Sequence, residues 1–409
     1  MKKDVNNVEI RRKNTKNRIL YLIREHRKIS KTELLKQTGY SMTTILSTIN
    51  ELVDAGLVSF GEKGITPSGR KPVYISLNPD GGYFVGISFT AARMSGAILN
   101  YRGEIIYHFQ ISLAETKLSV EYVLENLSRN LLDMLEKIQD KRDRIIGIGI
   151  GVPGYYDEDS SMSIFYPHIP GWRNVDLTKY LRSVIPDFKI RIEPNVNGMA
   201  LAYNWLRPEY RGLSYIVISI TSGIRMACVF NNVLYKGSNF TAGEIGHIRV
   251  NGGRRYCPCG KTGCLESEVS ESAILERILE GLRANRFAWI WEAAEKNQEN
   301  ITTDLFIKGV LAQDSDCLAL LDELCSFLGE AIAHLLNTLN PDKIILSCKL
   351  NQLGDQFLGR IYRYAEGNAI FAALKNFTLE TTDFGETLAA VGAASIVMNH
   401  ELSYVDAII

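Results

Sequence analysis

Three thiols and one imidazole are clustered near the middle of the chain. Cys257, Cys259 and Cys264 lie within eight residues of one another, and His247 precedes the first of them by ten residues. Three thiolates and one imidazole complete a tetrahedral ligand set that is common in closed structural zinc sites. Soft thiolates also favour zinc over magnesium or calcium. We therefore predict that these four residues bind one Zn²⁺ ion; the alternative is three buried free thiols beside a core histidine.

The composition is that of an ordinary globular protein. Of the 409 residues, 46% are hydrophobic and 22% are charged, which excludes fibrous and disordered classes. The length predicts two or three domains. The sequence has neither an apolar run long enough to span a membrane nor the apolar segment of a secretory signal. Seven cysteines, an odd number, argue against a disulfide framework, and we expect a cytoplasmic protein.

Positive charge is concentrated in the first 80 residues. They carry 15 Lys and Arg against 8 Asp and Glu, a net charge of +7, whereas the rest of the chain carries 31 against 38, a net charge of −7. A basic segment joined to an acidic body indicates an anionic partner for that segment alone. A solvated basic tail has the same charge, so charge alone does not distinguish the two interpretations.

The pattern of the basic segment predicts a helix-turn-helix. Three helices are indicated by apolar residues at helical spacing within 15–26, by a capping box at Ser30 and Glu33, and by a good N-cap at Ser41. Gly39 breaks the chain between the second helix and the third. Two short helices joined by a tight glycine turn, after a packing helix, are typical of this DNA-binding motif.

A hairpin follows the third helix, which we expect to span 42 to about 55. The strand-like segments 58–60 and 73–75 flank a loop rich in glycine, as in the wing of a winged helix-turn-helix. Short polar side chains on the third helix can approach base edges in the major groove, and basic wing residues can contact phosphates or the minor groove. The predicted DNA-binding residues are Ser41, Thr43, Thr44, Ser47, Thr48, Arg70 and Lys71. The alternative is a small helical bundle with no nucleic acid partner.

From residue 82 onward, strand-like and helical segments alternate. A buried strand is predicted at 144–151, long helices at 120–138 and 318–336, and a further strand at 343–347. Strand clusters interleaved with helices predict an α/β body. A body of about 330 residues should divide into two lobes, because single cores stop growing at that size.

Several motifs in this body relate it to a known family. Residues 242–247 read Ala-Gly-Glu-Ile-Gly-His, and residues 257–266 read Cys-Pro-Cys-Gly-Lys-Thr-Gly-Cys-Leu-Glu. With Gly-Val-Pro-Gly at 151–154, Ile-Pro-Gly-Trp at 169–172 and Val-Gly-Ala-Ala at 391–394, they resemble the signature of the ROK family. This family groups sugar kinases with sugar-responsive repressors, and the added winged module makes the whole chain resemble the repressor branch.

The resemblance implies a two-lobed, actin-like ATPase fold of the α/β class, with a sugar cleft between the lobes. We expect a winged helix-turn-helix DNA-binding domain at 1–80. The first lobe should span 81–200 and be completed by 385–409, and the second should span 201–384. The second lobe would carry the zinc site and the dimerisation surface. We expect the large body to form the dimer, because the 80-residue DNA-binding module has no long heptad run that could form a coiled coil.

The groups that phosphoryl transfer requires are missing. The family's kinases carry an Asp base in a Glu-Asn-Asp-x-Asn run, whereas residues 193–197 here read Glu-Pro-Asn-Val-Asn. The carboxamide of Asn195 cannot accept a proton at neutral pH, so general-base catalysis fails there. The family's Asp-x-Gly-Gly-Thr phosphate loop is replaced by Ser-Phe-Thr-Ala-Ala at 88–92, and a later glycine run keeps one glycine at 219–225. We therefore predict no ATP binding, no catalytic residue and no enzymatic activity.

The family's sugar-binding residues are better retained. Glu244, His247 and Glu266 match positions that contact sugar hydroxyls, and Asn195 stands in the same implied site. Carboxylates suit this task because they accept hydrogen bonds from vicinal hydroxyls. The two glutamates could equally orient the zinc ligands, and both roles can coexist. His168 and Pro194 replace family asparagines, which suggests a modified or phosphorylated sugar.

Three functions are compatible with these features. The prediction is a sugar-responsive regulator, a repressor of carbohydrate-utilisation genes, that binds an inverted repeat in double-stranded DNA as a homodimer or as a tetramer made of two dimers. A sugar kinase with an appended DNA-binding domain is the alternative, and Asn195 argues against it. A regulator whose body binds another protein instead of a sugar or sugar-phosphate effector stays open.

Overall fold

A computed structural model describes residues 2–63, 73–113 and 118–403. The chain forms two compact units: Met1–Glu209 together with Glu386–Ile409, and Tyr210–Gly385. The first unit includes the residues of the predicted DNA-binding domain. Within the described residues, no helix combines the length and the apolar character that crossing a membrane requires.

The N-terminal part of the first unit is a winged helix-turn-helix. Its elements are α1 (Lys2–His26), β1 (Ile29–Ser30), α2 (Lys31–Thr38), α3 (Met42–Asp54), β2 (Val58–Lys63) and β3 (Val73–Leu77). The three strands form one antiparallel sheet in the order β1-β3-β2. We call α1 through β3 the DNA module. The predicted helices and wing strands are confirmed. The first helix begins at Lys2, earlier than the pattern at 15–26 indicated, because its first turns are mostly polar and give no apolar periodicity.

Local chemistry explains where the helices of the DNA module begin and end. Ser30 accepts a hydrogen bond from the Glu33 backbone N–H, and the Glu33 side chain accepts one from the Ser30 backbone N–H, which completes the predicted capping box. Gly39 ends α2 in the left-handed region, at φ 68°, where glycine is favoured. Ser41 caps α3 by accepting from the Thr44 N–H.

The remainder of the first unit is built on a five-stranded sheet in the order β11-β7-β4-β5-β6. The elements are β4 (Tyr83–Phe89), β5 (Arg93–Asn100), β6 (Ile105–Ser112), α4 (Val120–Lys137), β7 (Ile145–Val152), β8 (Tyr155–Asp157), β9 (Met162–Phe165), β10 (Arg173–Val175), α5 (Leu177–Val184), β11 (Ile190–Pro194) and α6 (Asn195–Leu206). α6 therefore continues through the boundary expected between residues 200 and 201.

The second unit is built on another five-stranded sheet, in the order β14-β13-β12-β15-β16. Its elements are β12 (Tyr215–Ile220), β13 (Ile224–Phe230), β14 (Val233–Tyr235), α7 (Leu265–Val269), α8 (Glu271–Arg283), α9 (Ala288–Ala293), α10 (Thr303–Leu311), α11 (Ser315–Leu339), β15 (Lys343–Ser347), α12 (Asp355–Asn368), α13 (Phe371–Leu374) and β16 (Thr378–Thr381). The chain then returns to the first unit as α14 (Leu388–Leu402).

The two large sheets repeat one topology. In each, the first strand along the chain pairs antiparallel with the second, the second pairs antiparallel with the third, and the first pairs parallel with the fourth, which pairs parallel with the fifth. This duplication confirms the predicted α/β class with two actin-like lobes.

The helix α14 packs unusually close to the sheet of the first unit. A Cβ atom at Gly149 of β7 would lie 1.9 Å from the Ala393 carbonyl oxygen, and one at Gly86 of β4 would lie 2.1 Å from the Ala394 nitrogen. α14 also touches α6 backbone to backbone, because a Cβ at Gly392 would lie 2.6 Å from the Gly198 carbonyl carbon. Glycine and alanine at these crossings permit contacts that larger side chains would prevent.

Candidate functional site

The four predicted metal ligands converge in the second unit. Their ligand atoms all lie within 4.8 Å of one another. Cys257 Sγ is 3.7 Å from His247 Nδ1, and Cys259 Sγ is 3.6 Å from Cys264 Sγ. A tetrahedral ion with metal–sulfur bonds of about 2.3 Å separates its ligands by about 3.8 Å. The arrangement therefore fits a tetrahedral metal ion.

Two glycines let the cysteine loop fold back on itself. Gly260 and Gly263 have φ angles of 90° and 75°. The Cys257 N–H donates to the Lys261 carbonyl at 2.7 Å, which closes a tight turn around Cys259. A Cβ at Gly263 would lie 2.6 Å from the Gly253 carbonyl oxygen, so this position also requires a glycine for close approach.

The donor set of this cluster, three sulfur atoms and one imidazole nitrogen, favours a soft cation. Burial raises the pKa of Cys257 above its ordinary value and raises that of Cys264 to about 12. The two groups are therefore neutral thiols at pH 7 in the metal-free chain. A bound metal ion would displace their protons, since thiolates are the metal-ligating form. His247 presents Nδ1 to Cys257 and leaves Nε2 directed towards Glu244, 3.9 Å away.

Glu268 is a buried residue that sequence reasoning missed. Its carboxylate is 3% exposed and accepts hydrogen bonds from the backbone N–H groups of Arg254 and Arg255, at 2.7 and 2.8 Å. Arg277 lies 3.8 Å from the other carboxylate oxygen. Glu268 thus anchors the segment that leads into Cys257. A lone glutamate four residues after the last cysteine gives no periodic signal of this role.

The predicted sugar ligands of the second unit are held by neighbouring groups. Glu266 accepts a hydrogen bond from the Ile224 N–H at 2.8 Å, and Glu244 forms an ion pair with Arg225 at 2.6 Å. The Met226 N–H donates to the Gly243 carbonyl at 2.8 Å, and a Cβ at Gly243 would lie 1.9 Å from the Met226 carbonyl oxygen, so this approach requires glycine. The carboxylates are therefore oriented by the backbone and side chains at the start of β13.

The remaining predicted sugar ligand lies in the first unit. Asn195 is the first residue of α6 and is half-buried. The preceding Glu193 is buried, accepts a hydrogen bond from Asn197 Nδ2 at 3.2 Å and lies 3.4 Å from His400 Nε2. These contacts engage both carboxylate oxygens of Glu193.

The loop that would bind phosphate in a kinase uses its own donors. The N–H groups of Ala92 and Arg93 donate to the Thr90 hydroxyl, and the Thr90 N–H donates to the Arg93 carbonyl at 2.8 Å. Phosphate loops require free backbone N–H groups aimed at the anion. In the second unit, the Thr221 N–H similarly donates to the Gly223 carbonyl at 2.9 Å.

The exposed side of α3 differs from the prediction at one residue. Ser41, Thr43, Thr44 and Ser47 are exposed as expected. Thr48 is only 9% exposed and shares the packed face with Ile45 and Ile49, so its assignment as a base-reading residue is wrong. A residue three after Ile45 lies on the same side of a helix as that apolar residue.

Met42 is apolar but is 41% exposed. It occupies the first turn of α3, beside Ser41 and Thr43, where an apolar group can contact a thymine methyl group. The predicted wing residues Arg70 and Lys71 lie outside the described residues.

Comparison with known protein families decides the assignment. The ROK family model matches residues 84–400, and a model for winged helix-turn-helix DNA-binding domains matches residues 12–59. The chain belongs to the ROK family.

Similar proteins include regulators and kinases of this family. The xylose repressor of Caldicellulosiruptor bescii is 26% identical over 94% of this chain and 96% of its own length. A glucokinase of Halalkalibacterium halodurans is 27% identical but matches only 78% of this chain, with 96% of its own length covered. A ROK transcriptional regulator described as a homologue of the Escherichia coli MLC protein superposes with a TM-score of 0.80 at 21% identity, covering 96% of both chains, and supports the fold.

Replacing Glu268 should destabilise the second unit. Glu268→Ala removes the shared acceptor of the Arg254 and Arg255 N–H groups and the buried carboxylate beside Arg277, which keeps its ion pair with Glu323. We expect a loss of about 2 kcal/mol in the free energy of unfolding. Urea unfolding followed by circular dichroism measures this loss. Glu276→Ala is the control, because its exposed ion pair with Arg255 should contribute less than about 1 kcal/mol. Equal effects of both substitutions would contradict the anchoring role of Glu268.

Proposed function

We propose that this ROK protein is a sugar-responsive transcriptional repressor whose kinase-like body is a catalytically inactive sensor. The observation that carries the proposal is the combination, in one chain, of a winged helix-turn-helix with a ROK body whose base position is Asn195. The match to the xylose repressor covers 94% of this chain, enough to include both parts. The glucokinase match covers 78% of this chain, about the length of the ROK body alone.

The DNA module supplies the operator contacts. We assign base recognition to the exposed side of α3, namely Ser41, Thr43, Thr44 and Ser47, because short hydroxyl side chains allow the helix to enter the major groove closely. Arg70 and Lys71 of the wing add phosphate or minor-groove contacts. One module offers few base contacts, so we propose a homodimer, held by the second unit, on an inverted repeat.

The effector is either an uncharged sugar or a sugar phosphate, and its proposed ligands are Glu244, His247, Glu266 and Asn195. The carboxylates accept hydrogen bonds from sugar hydroxyls, and the Nε2 atom of His247 contributes a further polar contact. D-Xylose is the first candidate because the relative from Caldicellulosiruptor bescii is named a xylose repressor. The sugar acts by favouring one conformation of the body over another, and it shifts DNA affinity only by that preference.

Zinc is the metal that we propose for the cluster of His247, Cys257, Cys259 and Cys264. Four protein ligands leave no open coordination position, so the ion would be structural and would hold the loop between β14 and α7. Because His247 offers Nδ1 to the cluster, its Nε2 stays available for the sugar. One residue can then serve both the metal site and the effector site.

Purified protein should contain about one zinc ion per chain. Cys259→Ala removes one of four ligands and should lower the zinc content by more than half, whereas Cys348→Ala, outside the cluster, should leave it unchanged. Elemental analysis of reduced, dialysed protein measures the content. Wild-type protein that is folded and free of zinc would exclude this metal.

No sugar should be phosphorylated by the wild-type protein. Asn195→Asp alone should not restore activity, because the Ala92 and Arg93 N–H groups of the first loop are engaged by Thr90 within the loop. A coupled ATP assay over a panel of aldoses and amino sugars, run beside a ROK glucokinase as positive control, tests this expectation. Sugar-dependent ATP turnover by wild type, at about 1 s⁻¹ or faster, would instead identify an enzyme.

DNA binding should be released by the effector and should require Glu244. We expect wild type to bind duplex DNA from upstream of its own gene, and D-xylose to weaken this binding about tenfold, within the usual range of allosteric coupling. Glu244→Ala should keep sugar-free DNA affinity within about threefold and lose the response, because it removes a direct hydroxyl acceptor.

Fluorescence anisotropy titrations, with Glu276→Ala as a surface control, measure both quantities. A wild-type protein that does not bind the duplex would refute the regulator assignment. A Glu244→Ala variant that responds to the sugar as wild type does would refute the assignment of this effector site.

A further inference from the structure

Helix α1 buries two different faces. Ile19 and Ile23 are fully buried, and α1 packs on α2, α3 and β3 within the DNA module. Asn17 and Arg24 are also buried, at 5% and 8% exposure, and they are seven residues apart, which places them two turns apart on one side of the helix. Burying an amide and a guanidinium is costly unless they are paired. Their partners therefore show what this second face is for.

Arg24 reaches into the body of the first unit. One terminal nitrogen donates a hydrogen bond to the Tyr101 carbonyl at 2.7 Å. The guanidinium carbon lies 5.8 Å from the centroid of the Tyr101 ring and 5.4 Å from that of the Trp205 ring. Cation–π contacts at a desolvated site are stronger than exposed ones. Arg24 therefore fastens the DNA module to the turn after β5 and to the end of α6.

Asn17 fastens the same face of α1 to α14. Its Nδ2 atom donates to the carbonyl oxygens of Glu401 and Ser403, at 3.3 and 2.8 Å. These carbonyls lie at the C-terminal end of α14, where helix carbonyls have no partner within the helix. A residue of the DNA module thus caps a helix of the body, in addition to the Arg24 contact.

The two body helices that α1 touches are joined to each other. Trp205 Nε1 donates to Asn399 Oδ1 of α14 at 3.3 Å, and α6 crosses α14 in backbone contact at Gly198 and Gly392. α6 begins at Asn195 and ends at Leu206, directly after Trp205. One short helix therefore carries the proposed effector ligand Asn195 at its start and the Arg24 contact near its end.

We propose that Arg24 is a positioning residue that couples α6 to the DNA module, with Asn17 as a second fastening point. A shift of the start of α6, produced when a sugar contacts Asn195, moves the Trp205 ring and with it α1, and so changes where α3 is held. This inference rests on the proposed function. Because coupling between two sites is reciprocal, DNA bound to α3 should also alter α6.

Hydrogen exchange of α6 in the full-length protein tests this coupling without a sugar. Hydrogen exchange of residues 195–206 is measured with and without duplex DNA from upstream of the protein's own gene. The salt concentration is kept low, because contacts with DNA phosphates strengthen binding there. We expect DNA to change the exchange rates of α6 at least twofold in wild type. Arg24→Ala should lose this change, while Arg24→Lys, which keeps a cation over the two rings, should restore part of it.

Lys13→Ala is the matched control, because it removes one positive charge from the exposed side of α1. It should weaken DNA binding slightly and leave the α6 response intact. Loss of the response in Arg24→Ala, with DNA affinity within about tenfold of wild type, supports the proposal, because weakened binding alone is overcome by saturating DNA.

Two wild-type results would overturn the coupling, and they differ in meaning. Duplex DNA that binds, by anisotropy, without changing α6 exchange refutes the coupling and leaves the proposed function standing. Duplex DNA that does not bind refutes the proposed function and the coupling with it. An Arg24→Ala variant that keeps the full α6 response also overturns the role of Arg24. The wild-type measurement can refute the coupling without any variant. An Arg24→Ala protein that fails to fold therefore does not protect the proposal from a negative wild-type result.

Discussion

The backbone contact between α6 and α14 is the constraint on which the first unit depends. Gly198 and Gly392 bring the two helices together without intervening side chains, and α14 lies equally close to the sheet at Gly86 and Gly149. Close-packed interiors transmit displacement because they have little free volume. The helix pair therefore connects the sheet, Asn195 at the start of α6, and the DNA module through directly packed contacts.

The groups that phosphoryl transfer requires are absent from this kinase-like fold because of local sequence differences, while the strand order of its two sheets is intact. Both five-stranded sheets keep the strand order and pairing of a duplicated lobe. The first loop, by contrast, donates its N–H groups to Thr90, so a triphosphate would have to compete with existing hydrogen bonds. A side-chain hydroxyl that satisfies the loop internally stabilises the turn and removes the anion site at once.

The metal cluster and the proposed effector residues share the start of β13 and the loop after β14. Glu266 follows Cys264 by two residues and is bonded to the Ile224 N–H, while His247 faces both Cys257 and Glu244. A displacement of Cys264 or His247 should therefore also displace the carboxylates of Glu266 and Glu244. If the cluster binds zinc as proposed, loss of the metal should therefore disturb the proposed effector residues although the metal contacts no sugar.

The sequence by itself determined the features that depend on local chemistry. Capping at Ser30 and the turn at Gly39 were predictable, because each is specified by residues a few positions apart. The cluster of His247 with three cysteines was predictable from residue type and from the close spacing of the cysteines. Only the tertiary structure decided that Thr48 is buried, that Glu268 anchors the metal loop and that Arg24 lies between Tyr101 and Trp205. The roles of Glu268 and Arg24 depend on contacts between residues 13 to 181 positions apart, and the pattern within one element carries no information about its partner.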